Sequence, residues 1–517
     1  MLNWLRRFAV QNAWLISLLI AVFVEVSASP AQAHDATRPP NIVFIIADDL
    51  GYGDLGCYGQ QKIRTPNLDR LATEGMRFTQ HYAGNNVCAP SRCVLMTGKH
   101  PGHAYIRDNR QAQGFTEGQE PVPEGYLQLP LMLKKLGYTL GGFGKWGLGP
   151  FGSSGDPLKQ GFDRWYGYNC QAVAHNYYPT HLWDDGKRVA INNPAFSAHQ
   201  KLPADADPND PKSYLGYSGK DYAPDLIGKQ ALEFVRANKY RPFFLYYPTT
   251  VPHLALQVPE DSLQEYAGKF PETPYKGERQ YLPHRQPRAA YAAMITRMDG
   301  EMGKLFALLH ELKLDDSTIV VFTSDNGPLY DQAGGTDAEI FNSAGGLRGR
   351  KGSFYEGGFR EPCIVRWPGH IAPGSVSDRV TGFEDWLPTF LELVGASDKT
   401  PSDIDGNSFA PSLLGKPQGR RPFLYRESPG YGGAQCVRVE DWKAIRRNLH
   451  PNAKAKDLTP GKIELFNLAI DRNETTDVAD KNPEIVARLR TIMEQQHVKS
   501  SIFPLRALDG APPPPKK

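Results

Sequence analysis

Asn41-Ile42-Val43-Phe44-Ile45-Ile46-Ala47 is apolar at nearly every position, rich in β-branched residues, and stops abruptly at Asp48-Asp49. A run of this kind fits a strand covered on both faces, because a half-exposed strand alternates apolar with polar residues. Thr318-Ile319-Val320-Val321-Phe322-Thr323-Ser324 repeats the pattern and ends in Asp325-Asn326-Gly327. Pro242-Phe243-Phe244-Leu245-Tyr246-Tyr247 is a third inner-strand candidate, and Glu361 to Trp367 a weaker fourth. Helical signals lie between them. Thr65-Pro66 opens a helix that closes at Gly75, Leu129 to Leu136 is stopped by Gly137, Tyr291 to Leu312 has helical spacing, and Phe383 to Val394 is closed by Gly395. Inner strands alternating with helices specify an α/β domain with helices on both sheet faces. Ligands of such sheets bind beyond the carboxyl ends of the strands, where two of the three strongest runs place acidic groups.

A chain of 517 residues is too long for one small core, so one large and one small domain are expected. Residues 34–410 read as the catalytic domain, with long loops around the site mouth over 152–220. After a loop-like stretch from Gly406 to Arg421, Cys436 to Asn448 and Ile463 to Leu468 read as strands and Pro483 to Gln496 as a helix. These make residues 411–505 a smaller α+β domain, followed by a disordered tail over 506–517 with four consecutive prolines from Pro512. At the other end, Arg6-Arg7, an apolar stretch from Ala13 to Val24 and Ala31-Gln32-Ala33 form a secretory signal peptide, 1–33. The stretch is short for a membrane anchor and is broken by Glu25. The mature protein is expected to be periplasmic or secreted, without a stable membrane span. Fifty-nine Lys and Arg against 56 Asp and Glu leave a net charge of +3, which gives no global basic field for nucleic acid. An anionic ligand must therefore be held by local cations. Six cysteines in so long an exported chain do not make a disulfide scaffold.

Cys88-Ala89-Pro90-Ser91-Arg92 precedes the apolar Val94-Leu95-Met96 and stops at Thr97-Gly98, which predicts a short helix starting near Pro90. Cys88 then sits at the helix mouth, where free N–H groups and the dipole favour an anion, with Arg92 a turn away. Two readings are open for it: a buried structural thiol, or a group that meets a negative charge. Asp48-Asp49 and Asp325-Asn326 are likewise either solvated turn residues or the all-oxygen ligands of a hard cation, Ca²⁺ rather than Zn²⁺.

Cys88-Ala89-Pro90-Ser91-Arg92 resembles the Cys-x-Pro-Ser-Arg signature of the type I sulfatases, arylsulfatase-like members of the alkaline phosphatase superfamily whose cysteine is oxidised to formylglycine (3-oxoalanine). Ala47-Asp48-Asp49-Leu50-Gly51-Tyr52-Gly53 and Ser324-Asp325-Asn326-Gly327 look like the two metal-binding segments of that family. Gly144-Lys145-Trp146-Gly147-Leu148-Gly149, Thr250-Val251-Pro252-His253 and Arg350-Lys351-Gly352-Ser353-Phe354-Tyr355-Glu356-Gly357-Gly358 resemble three more of its segments, in the expected order. Ile463-Glu464-Leu465-Phe466-Asn467-Leu468 resembles its C-terminal strand, so the likeness runs from about Pro40 to Gln496.

The resemblance implies an alkaline phosphatase-like sandwich, with a large mixed, mainly parallel sheet flanked by helices, and a C-terminal subdomain with an antiparallel sheet. It implies that Asp48, Asp49, Asp325 and Asn326 bind Ca²⁺ together with an oxygen of modified Cys88. Arg92, Lys145 and Lys351 would neutralise a sulfate monoester, a hydrated aldehyde at residue 88 would attack sulfur, and His253 would protonate the departing alcohol. The aldehyde hydrate has a second hydroxyl that drives release of sulfate, which a serine or thiol lacks. A formylglycine-generating maturation enzyme is the implied partner. One position departs from the pattern: Gly147 stands where the family has a histidine that contacts the formylglycine, and His175 is the candidate to take over part of that role or to contact substrate. The implied substrate is a sulfate ester, with a sulfated carbohydrate favoured. Trp165, Tyr166, Tyr168, Tyr177, Tyr178 and Trp183 either stack on its rings or pack internally. The same residues leave open a phosphonate or phosphate ester hydrolase of the superfamily, and a non-catalytic protein that binds sulfated glycans.

Overall fold

Every residue of β1 (Asn41–Asp48) is buried, and its side chains alternate between two cores. Ile42, Phe44 and Ile46 enter one hydrophobic cluster, while Val43, Ile45 and Ala47 enter the other. A strand covered on both faces has no place for polar alternation, and each large side chain so buried contributes about 1.5–3 kcal/mol. The computed structural model describes residues 38–510 apart from 331, 453, 454 and 456, and from Pro40 onward they belong to one compact unit. The expected signal peptide at 1–33 lies outside the described residues. Among those described, no helix is long and apolar enough to cross a membrane.

The large sheet has eleven strands among the described residues. From edge to edge it runs β10 (Ser375–Ser377), β2 (Met76–Tyr82), β9 (Arg360–Arg366), β8 (Thr318–Ser324), β1, β7 (Phe243–Pro252), β3 (Thr139–Lys145), β4 (Arg164–Tyr168), β5 (His181–Asp184) and β6 (Lys187–Ala190). The short β11 (Thr381–Gly382) also pairs with β2. Strands β8, β1, β7, β3 and β4 are parallel, whereas β9 opposes β2 and β8 and the β5–β6 hairpin closes one edge. The sheet is thus mixed and mainly parallel, as expected. Trp386–Leu393 covers one face, with Trp386 edge-on to Phe44 at 5.2 Å. Pro287–Glu311 and Ala223–Asn238 cover the other.

The stretch 152–220, expected as loops, contains β4, β5 and β6. Strand β3 has no clear signature in the sequence, because it carries Gly141, Gly142 and Gly144 within seven residues. Packing explains that composition: a Cβ on Gly142 would lie 2.2 Å from the Trp165 ring of the neighbouring strand.

The second sheet is antiparallel, β12 (Leu424–Ser428), β13 (Ala434–Val439), β14 (Trp442–Arg447) and β15 (Ile463–Asn467). The helix Pro483–Gln496 buries Leu489 and Met493 against Tyr425, Val437 and Leu465. Arg426 ties this sheet to the larger one, with a bidentate pair to Glu384 at 2.9 and 3.0 Å and a hydrogen bond to Ala83 O at 2.8 Å. Of the tail expected to be disordered over 506–517, Arg506–Asp509 is instead a short helix. It is held by Arg506 donating to Pro451 O at 2.8 Å and by Asp509 against His497 Nε2 at 2.9 Å. Residues 511–517 lie outside the described set.

His497 bridges Asp509 and Glu427, the latter at 2.8 Å. Burial opposes its charge, but the two carboxylates outweigh burial and raise its pKa above the ordinary value. Its stabilising contribution is therefore full below the unfolded pKa, about 6.5, and is lost as pH rises through the folded value. His497→Gln is expected to lower the denaturant midpoint more at pH 6 than at pH 9; equal deficits would show that the bridge works without its proton.

Candidate active site

The carboxyl ends of β1, β7, β8 and β3 converge, and each delivers a polar side chain. At the end of β1 the backbone of Asp49 turns left-handed (φ 67°), a conformation that Asp tolerates better than most residues. Asp48 and Asp49 are both fully buried there. Strand β8 hands on Asp325, whose N–H donates to Ala47 O at 3.1 Å, and Asn326. Strand β7 runs through Pro252, so His253 follows it directly. The helix holding Cys88 spans Cys88–Thr97, two residues longer at its start than the sequence indicates, and Cys88 is its first residue.

Asp48, Asp49, Cys88 and His253 each offer a ligand atom, all within 4.8 Å of one another. Cys88 Sγ lies 3.3 Å from Asp48 Oδ1, 3.5 Å from Lys351 Nζ and 3.7 Å from Lys145 Nζ. Lys145 donates to Asp48 Oδ2 at 2.5 Å and Lys351 to Asp49 Oδ2 at 2.9 Å. His253 Nε2 faces Asp49 Oδ2 at 3.5 Å, and its Nδ1–H donates to Leu254 O at 2.7 Å, which fixes the tautomer. Arg92 is fully buried and engaged: Nη2 donates to Asp325 Oδ2 at 2.8 Å and to Asp48 Oδ2 at 3.3 Å, and Nη1 to Lys145 O at 2.5 Å. These contacts tie Arg92 to both strand-end carboxylates and to the backbone of Lys145.

Charge in the pocket is crowded. Burial alone would raise Asp48, but Lys145, His253, Arg92 and Lys351 outweigh it and hold its carboxyl well below the usual range. Burial raises Asp49 and Asp325, and neighbouring carboxylates push both further. Burial also lowers His253, as do the two lysines beside it. The Cys88 thiol is pushed up, first by burial and then by Asp48, so it stays protonated.

The donor set fits a hard cation. Asn326 Nδ2 donates to Asp49 Oδ1 at 2.6 Å, whereas its Oδ1 is buried and has no hydrogen-bond partner. Asp49 N donates to Asp325 Oδ1 at 3.2 Å, which brings both strand-end pairs into one oxygen cluster. Three carboxylates and an orphan amide oxygen in a buried cluster are the ligand chemistry of an oxygen-seeking divalent ion.

His175 stacks on His253 with ring centroids 4.9 Å apart, and its Nδ1 meets His199 Nε2 at 2.9 Å. It therefore flanks His253. At Gly147 the backbone is left-handed (φ 95°), and a Cβ there would meet Gln171 Nε2 at 2.8 Å. Gln171 Nε2 is buried without a hydrogen-bond partner, so a glutamine side chain occupies the space next to Gly147. Of the six aromatics that could have served as sugar platforms, Trp165, Tyr166, Tyr168, Tyr177 and Tyr178 are buried in the core, and Trp183 stacks on Phe151 at 5.0 Å. Gln171, His199 and Tyr281 also belong to this region, and the sequence does not point to them, since their loop positions carry no pattern. Tyr281 packs edge-on to His175 at 5.2 Å and lies 6.2 Å from His253.

Known proteins resemble this chain along most of its length. The family model Sulfatase matches residues 40–396, and the model N-sulphoglucosamine sulphohydrolase, C-terminal, matches residues 350–499. The chain is 34% identical to the N-acetylgalactosamine-6-sulfatase of Homo sapiens over 505 residues, covering 91% of this chain and 88% of that one. It is 34% identical to arylsulfatase A of Homo sapiens over 485 residues, covering 88% and 87%. Among solved structures, Ps i-CgsB in complex with k-i-k-neocarrahexaose superposes with a TM-score of 0.70 at 26% identity, covering 92% of this chain and 98% of that one.

Proposed function

This chain belongs to the sulfatase family and is a sulfate ester hydrolase, and from that premise we propose that it desulfates a sulfated carbohydrate, with residue 88 acting as formylglycine beside a calcium ion. One observation carries the reading: the Cys88 side chain lies within 3.7 Å of two lysine ammonium groups and a buried acidic cluster. The relatives support the carbohydrate class, since one acts on N-acetylgalactosamine 6-sulfate by its name and another structure holds k-i-k-neocarrahexaose.

Asp48, Asp49, Asp325 and Asn326 would hold the ion, which supplies positive charge to substrate and nucleophile oxygens. Hydrated formylglycine would supply an oxygen nucleophile with a second hydroxyl for release, whereas the buried thiol is held in its protonated, weakly nucleophilic form. Lys145 and Lys351 both reach the Cys88 side chain, so an anion seated against residue 88 contacts both. That anion offsets the cationic field that keeps His253 neutral. With Nδ1–H held by Leu254 O, the proton that His253 gains sits on Nε2, the atom facing the site. Protonated Nε2 is then placed to donate to the leaving alcohol. Arg92 keeps Asp48 and Asp325 aligned throughout.

The His253 variant tests the reading. His253→Ala is expected to slow sugar sulfates by about 10²–10⁴-fold, the usual worth of a general acid. 4-Nitrophenyl sulfate, whose leaving group needs little protonation, should lose much less. Equal losses on both esters would contradict the acid role.

A further inference from the structure

Two tyrosines near the site have backbones that tyrosine rarely adopts. Tyr281 (φ 62°) follows another left-handed residue, Gln280 (φ 64°), and Tyr431 (φ 54°) sits among Gly430, Gly432 and Gly433. A bulky residue in this region is strained and persists only where its surroundings hold it. Here they do. Tyr275 Oη accepts from Arg279 N at 2.8 Å and donates to Gln280 O. Gly433 N donates to Gly430 O at 3.0 Å, and His450 N to Gly432 O at 2.8 Å.

Both rings are aimed at the catalytic walls. Tyr281 lies on the His253 side, against His175 and His253. Tyr431 lies on the Lys351 side: a Cβ on Gly352 would be 2.7 Å from its ring, and its hydroxyl bonds that of Tyr330. Gly352 N donates to Asn86 O at 2.9 Å, which fixes this contact beside the helix bearing Cys88. Asp49 and Cys88 lie within electrostatic reach of both hydroxyls. Tyr431 is nevertheless 64% exposed, in contrast to the core residues Trp165, Tyr166, Tyr168, Tyr177 and Tyr178. Its ring has no core to stabilise.

We propose that Tyr281 and Tyr431 are specificity residues that contact the ring directly bearing the sulfate, a six-membered sugar ring, from the His253 and Lys351 sides of the mouth. The inference rests on the sulfatase reading and extends it to the alcohol half of the ester. Flat aromatic faces pack well against the C–H faces of a pyranose. Holding them in fixed, strained positions removes the ordering cost at the moment of binding.

Asparagine tolerates the left-handed region and removes the ring, so Tyr281→Asn and Tyr431→Asn separate recognition from stability. Tyr431→Asn is expected to melt no lower than the wild type; Tyr281 also packs on the core cluster that contains Leu254 and Tyr291, so its variant is read by KM and affinity. Each should raise KM for a sulfated hexosamine by about threefold to tenfold with kcat within about twofold. Tyr→Phe, which keeps the ring, should raise KM less than Tyr→Asn at the same position. Calorimetric binding of the same sugar sulfate in a Cys88→Ala background reads the contact without turnover and should weaken in the same variants. Unchanged KM and affinity in both asparagine variants would overturn the proposal, as would a lower melting temperature of Tyr431→Asn, which would make that ring structural. Tyrosine-dependent binding by wild-type protein that releases no sulfate would instead overturn the sulfatase reading and leave the contact standing.

Discussion

Cys88→Ala is expected to abolish sulfate release while leaving the melting temperature within a few degrees of wild type. Turnover depends on the atoms at residue 88, because the nearest hydroxyl on the same helix is committed elsewhere: Ser91 Oγ accepts from Gly84 N at 2.9 Å. The fold depends on it little. Cys88 contributes one small side chain at the first position of its helix, where Val87 provides no side-chain cap and the helix is held by its buried remainder. Removal of one sulfur costs about 1 kcal/mol of burial and relieves contact with a carboxylate. Near-normal turnover in this variant would remove the mechanism altogether.

Lys443→Met is expected to destabilise the fold by about 3–5 kcal/mol, the cost of breaking a buried ion pair from one side. Lys443 is buried between Glu356 and Glu474, with its Nζ 2.9 Å from each. Glu356 also takes Arg360 at 3.1 Å and the Tyr82 hydroxyl at 2.6 Å, whereas the Glu474 carboxylate pairs with no other cation among the described residues. Burial and the charge of Glu356 raise the Glu474 pKa even with Lys443 present. Without the lysine, two carboxylates face each other out of water. The consequence reaches the site, because Glu356 closes the loop that carries Lys351 and Lys443 belongs to β14. Chemical denaturation should show the loss, and Lys443→Met combined with Glu474→Gln should recover part of it by removing the stranded charge. An unshifted midpoint for Lys443→Met would show that the pair is not needed to join the small sheet to the catalytic loop.

The parts of this protein legible in its sequence are those where one local rule dominates. β1 and β8 read clearly because burial on both faces demands unbroken apolar runs, and their acidic ends stand out against those runs. That contrast, together with family resemblance, points to the carboxylates, Lys145, His253 and Lys351, and the structure gathers them. β3 is not legible, since its glycines answer to Trp165 on the neighbouring strand and not to strand propensity. The helix Ala223–Asn238 is easily passed over, although Ile227, Ala231, Phe234 and Val235 mark its buried face. The engagement of Arg92 by two carboxylates is a tertiary fact with no local signature, and so is the placement of Gln171 beside Gly147. Tyr431 leaves one trace, a tyrosine enclosed by glycines, which reads as a turn until its ring is seen against Gly352.

Protein made with and without a formylglycine-generating enzyme puts the mechanism at its most exposed point. Peptide mass spectrometry gives the fraction of residue 88 present as aldehyde, and the same samples can be assayed for inorganic sulfate released from sulfated sugars. Release in proportion to the aldehyde fraction is the predicted result. Full release from protein that holds only the thiol at Cys88, or none from fully converted protein across sulfated mono- and oligosaccharides, would contradict it.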